Sequence, residues 1–93
     1  MRRDESLSLA RQWVAEAAPE DLARRSLTGE LDGSLLFTTG TLDSLRFLDV
    51  LASLEDSLGA ELPDSELTPE NFDTISAIAA LAYRYGAKKS QEG

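Results

Sequence analysis

The feature that most limits what this chain can fold into begins directly after Asp43-Ser44. Apolar residues recur every three or four positions from there: Leu45, Phe47, Leu48, Val50, Leu51, Leu54 and Leu58. That spacing predicts an amphipathic helix over about 44–58, with Gly59 as its left-handed terminal residue. Placed at about 100° intervals, Val50, Leu54, Phe47, Leu58, Leu51 and Leu48 share one broad arc, with Ala52 and Leu45 at its margin. Asp49, Asp56, Ser53 and Arg46 fall opposite. Leu45 borders the acidic stripe and is expected to be an exposed apolar contact. Glu55 falls inside the apolar arc, where the sequence supplies no reason for it. Ser44 stands where a serine can do either of two things. It can cap the helix by accepting a bond from an unpaired backbone N–H, or it can offer its hydroxyl to an anionic group, which helix N-termini favour.

Two more apolar stripes can close a core with this helix. Leu7, Ala10, Trp13, Val14, Ala17 and Ala18 share a face of a helix expected over 4–17, with Trp13 as core. Pro19-Glu20-Asp21-Leu22 reads as a short helical restart reaching about Arg25. Glycines, serines and threonines break all periodicity from Leu27 to Leu42, so this stretch is expected to be loop, steadied by Leu31, Leu35, Leu36 and Phe37. Pro63 and Pro69 mark a second loop, followed by a single turn, Pro69-Glu70-Asn71-Phe72, that packs Phe72 inward. Asp73 is expected to cap a last helix over 74–85, and Gly86 to stop it. No stretch alternates as a strand does. The expected fold class is all-α: a small bundle of three main helices plus one short helix, with a long loop between helices 1 and 2. Residues 1–86 form the expected domain and 87–93 a flexible C-terminal tail.

Composition removes several function classes. The chain has neither cysteine nor histidine, so disulfides, thiolate metal sites and the usual general base are excluded. No apolar stretch approaches the roughly 18 residues needed to cross a bilayer. The N-terminus has basic residues but no apolar block behind them, so a cytoplasmic protein is expected. Net charge is −8, and all of that excess lies between Asp43 and Asp73, where nine acids meet one base, Arg46. Such a field disfavours nucleic acid and anionic membrane and steers basic partners to this half. No glycine-rich phosphate loop occurs. Carboxylates abound, but none pairs in an evident pocket, so the chain is not expected to be an enzyme.

The order of these features is similar to a known family. Asp43-Ser44-Leu45 after a glycine-containing loop, then Leu58-Gly59, Leu62-Pro63-Asp64 and Pro69-Glu70-Asn71-Phe72-Asp73-Thr74-Ile75, resembles a discrete acyl carrier protein over residues 5–86. The last of these stretches looks like free-standing carriers of specialised-metabolite (polyketide and nonribosomal peptide) pathways. The resemblance implies that Ser44 carries 4′-phosphopantetheine, transferred from coenzyme A by a phosphopantetheinyl transferase. The arm's thiol would hold an acyl, hydroxyacyl or aminoacyl unit as a thioester. It also implies partner contacts at Asp43, Leu45, Asp49, Glu55 and Asp56, with an acyl- or aminoacyl-loading enzyme and downstream synthase or modifying enzymes as partners of a monomeric carrier. Asp43 is expected to cap the helix or contact a partner. Phe47 either packs in the core or floors a cleft beneath the arm. Arg46 departs from the acid that many fatty-acid carriers have after Ser-Leu. The competing reading is an acidic helical interaction module that is never modified.

Overall fold

In the computed structural model, residues 2–92 are described, with side chains described as far as Gly86. Among the described residues the chain is all helix and loop. Helix α1 spans Arg3–Ala17, α2 Glu20–Leu27, α3 Ser44–Leu58, α4 Pro69–Phe72 and α5 Ile75–Glu92, and a 3-10 turn covers Asp64–Glu66. The expected three main helices plus one short helix is therefore corrected. The bundle has four main helices, α1, α2, α3 and α5, with the 3-10 turn and the one-turn α4 between the last two. The long loop lies between α2 and α3.

Helix α2 is the source of the correction: the short restart expected to about Arg25 is an eight-residue helix that reaches Leu27. Its one buried residue is Ser26, not a hydrophobe, and Leu27 is exposed. The Ser26 hydroxyl donates to the backbone carbonyl of Arg11 at 2.7 Å, fastening α2 to α1 by a polar bond. Arg11 continues the same joint. Its Nε and Nη2 donate to the two carboxylate oxygens of Asp32 at 3.0 and 2.6 Å, a bidentate pair that holds the start of the long loop. Gly29, at φ +88°, passes so close that a Cβ there would meet Arg11 Nη2 at 2.8 Å.

The three expected stripes do form the core. Ala10, Trp13, Val14 and Ala17 of α1 meet Val50, Leu54 and Leu58 of α3 and Ile75, Ile78, Ala79, Leu81 and Ala82 of α5. Leu31, Leu36 and Leu42 of the loop and Leu62 and Phe72 complete it. The arc of α3 is narrower than the spacing suggests, because Leu48 is 55 % exposed. Gly59 ends α3 at φ +67° and donates its N–H to the carbonyls of Glu55 and Asp56. Helix α5 passes through Gly86 and does not stop there. The side chains of 87–93, on which the expected tail falls, lie outside the described residues.

Candidate functional site

At the start of α3 the two adjacent polar residues divide the possible roles between them. Asp43, in extended conformation, is the N-cap, and its carboxylate accepts the Arg46 backbone N–H at 3.0 Å. Capping a helix in this way contributes about 1 kcal/mol. Ser44 is thereby the first helical residue and its side chain is exposed. The neutral hydroxyl sits at the partly positive end of a fifteen-residue helix.

Beside Ser44 opens a largely apolar cleft of about 490 Å³, lined by Phe37, Leu42, Phe47, Leu67, Pro69 and Phe72 among others, with Asp43 and Ser44 on its wall. Phe47, one turn along from Ser44, is half-buried and is both core and cleft lining. Its ring packs edge-on to Phe37, with centroids 5.6 Å apart, and to Phe72 at 5.0 Å. Edge-on pairs of this kind each contribute about 0.5–1.5 kcal/mol beyond their buried area. The cleft wall formed by Leu67, Thr68 and Pro69 is braced by Glu66, which takes a bond from Arg84 at 3.1 Å and one from Tyr85. Asn71 adds a bond to the Glu66 carbonyl at 2.9 Å.

The residues singled out from the sequence lie as follows. Asp43, Ser44, Asp49 and Asp56 are exposed, and Leu45 is 73 % exposed. Leu48 joins Leu45 as an exposed hydrophobe on α3, which the spacing had placed inside. Glu55 is half-buried, and its Oε2 accepts the Leu62 N–H at 2.8 Å, so the acid on the apolar arc holds the chain that leaves α3. Arg46 turns inward and donates to the carbonyl of Ala17. The expected cap at Asp73 is corrected: Thr74 caps α5, its Oγ1 accepting the Ala77 N–H at 3.0 Å. Asp73 instead receives the long loop through Thr38 and its neighbours. Nothing local in the sequence joins residues thirty-five apart.

An exposed primary hydroxyl at a helix N-terminus, beside an open apolar cleft, fits a phosphodiester-linked arm. The chain's own atoms supply the oxygen, the helix dipole and the cleft wall. The chain contains no histidine to serve there as a base.

The family described as "Phosphopantetheine attachment site" matches residues 12–82. D-alanyl carrier protein 2 of Lactiplantibacillus plantarum is 33 % identical over 61 residues, which is 66 % of this chain and 75 % of that protein. No solved structure gives a significant match. Among the described residues, no helix is long and apolar enough to cross a membrane. The chain belongs to the phosphopantetheine-attachment family: it is a small helical carrier, not a catalyst, that bears a covalent 4′-phosphopantetheine on a serine and presents it to partner enzymes.

Proposed function

We propose that Ser44 is the attachment residue. One observation carries this: Asp43 performs the capping, which leaves the Ser44 hydroxyl exposed at the rim of the cleft. A serine hydroxyl is a weak nucleophile, and the chain has no histidine to activate it. The transferase therefore brings the base and the metal, and this protein brings the position. The 4′-phosphopantetheine, when attached, supplies a thiol that holds cargo as a thioester. Phe47 and its aromatic neighbours form the floor over which such an arm can lie.

Leu45, Asp49 and Asp56, with Asp43 beside them, form the surface that basic patches on partner enzymes recognise, and Glu55 supports it by holding Leu62. Contacts of exposed charge are weak, fast and salt-sensitive, as a shuttle between enzymes requires. The cargo is a small acyl, hydroxyacyl or aminoacyl unit. The stretch Pro69–Ile75 supports a specialised-metabolite pathway of polyketide or nonribosomal-peptide type, and the relative named as a D-alanyl carrier protein supports an aminoacyl unit. Residues 1–86 act as the carrier, monomeric and cytoplasmic where coenzyme A is available.

The test is intact-mass measurement after incubation with coenzyme A and a broad-specificity phosphopantetheinyl transferase. A single pantetheine-phosphate addition to the wild type, lost in Ser44→Ala, is expected. No addition, or one that survives the substitution, overturns the assignment.

A further inference from the structure

Asp73, at the junction of α4 and α5, is 8 % exposed, and its carboxylate reaches back to the loop that leads into Ser44. Its Oδ1 accepts the backbone N–H groups of Leu36 at 3.1 Å, Phe37 at 2.8 Å and Thr38 at 2.9 Å. Its Oδ2 accepts the Thr38 hydroxyl. Its backbone carbonyl also accepts the Leu36 N–H at 2.7 Å. Three consecutive residues thus converge on one carboxylate.

The loop is then closed on itself, because the Leu42 N–H donates to the Leu36 carbonyl at 2.8 Å. Residues 37–41 become a lasso with both ends held. The second end runs directly into the Asp43 cap and Ser44. Phe37 in the lasso packs on Phe47, Phe47 packs on Phe72, and Phe72 adjoins Asp73. The circuit returns to its start, and Thr38, Gly40, Ser44 and Asp73 all border the same cleft. A buried carboxylate is costly unless its oxygens are satisfied. Saturated by charge-assisted bonds, it specifies one loop geometry.

We propose that Asp73 is a positioning residue for loading, gathering the 36–38 amides so that the rim before Ser44 holds its hydroxyl in one place for the transferase. This rests on Ser44 as the attachment residue. In the loading step the Ser44 oxygen forms a bond to the phosphorus of coenzyme A that bears the pantetheine. The bond from that phosphorus to the adenosine 3′,5′-bisphosphate portion breaks, that portion leaves, and the serine proton passes to the transferase's base. Small misplacements of a reacting oxygen are costly to such transfers.

The experiment compares full-length wild type, Asp73→Ala, Asp73→Asn and Thr38→Val in transferase kinetics. Helical circular dichroism and hydrogen exchange at Leu36, Phe37 and Thr38 are read in parallel. Asp73→Ala is expected to keep its helices, speed exchange at those amides and lower kcat about tenfold or more, with a smaller change in KM. Asp73→Asn keeps an acceptor oxygen and gains a donor that can face Thr38, so it is expected to recover most of the rate. Wild-type kcat in Asp73→Ala despite faster loop exchange overturns the inference, as does Asp73→Asn being as slow as a folded Asp73→Ala. If Asp73→Ala does not fold, Thr38→Val decides: slower loading with faster loop exchange is expected, and an unchanged rate with faster exchange overturns. A wild type that takes up no pantetheine sinks the Ser44 assignment instead, so the two failures are distinct.

Discussion

The guanidinium of Arg46 donates to the backbone carbonyl of Ala17, tying the first turn of α3 to the last residue of α1. The one cation in the acidic span is therefore engaged, half-buried, at the α1–α3 junction, at a helix C-terminus where the backbone dipole favours positive charge. The surface around Ser44 is left apolar and acidic. Arg46→Ala is expected to cost about 1.5–3 kcal/mol, the range for hydrogen bonds from charged groups. Urea denaturation measures this. Stability equal to wild type contradicts the tie.

Asp43 and Ser44 make opposite predictions despite being neighbours. Asp43→Ala removes the cap on α3 and is expected to cost about 1 kcal/mol. Ser44→Ala removes an exposed hydroxyl and is expected to stay within about 0.5 kcal/mol. The same denaturation series checks both. A larger loss from Ser44→Ala than from Asp43→Ala means that the serine is the structural member of the pair.

Much of this was legible because the signals are local. Helices α1, α3 and α5 announce themselves by apolar spacing, and Gly59 by its place after Leu58. Position alone offered the cap to Ser44, and the structure gives it to Asp43, one residue earlier. What escaped is held by polar contacts between distant residues. Helix α2 was legible only as a short restart to about Arg25, because Ser26, which anchors its end on Arg11, gives no apolar signal. Glu55 makes sense only once Leu62 has turned back to meet it. Asp73 has the right residue type and place for a cap, but three loop amides and Thr38 compete for it, and Thr74 is left to cap α5. Leu48 lies at an edge of the α3 arc that its packing neighbours leave uncovered, which spacing alone does not show.

Asp49 and Asp56 lie exposed on α3, clear of the core. Reversing both to Arg shifts the charge of this face of α3 by +4, two negative charges lost and two positive gained, and leaves the bundle's contacts alone. Binding to the native loading enzyme is expected to weaken, and its dependence on ionic strength to flatten. Titrations at low and high salt measure both. Affinity and salt dependence equal to wild type would remove this face from partner recognition.

The Asp73 carboxylate sets an acid limit on the fold. Burial alone raises its pKa, but the Thr38 hydroxyl and the N–H groups of Thr38, Phe37 and Leu36 outweigh burial and hold it below the usual carboxylate range. In the unfolded chain the same group titrates near the ordinary value of about 3.9. Between the two values the unfolded state binds more protons than the native one, so stability rises with pH there. The contribution of Asp73 is therefore complete above the unfolded value and is lost as pH falls through the native one. Asp73→Asn does not titrate, so the stability gap between wild type and this variant is expected to be constant near neutrality and to close in acid. Thermal unfolding of both proteins across that range measures the gap. A gap unchanged down to the acid transition would show that the carboxylate's charge contributes nothing to holding the loop.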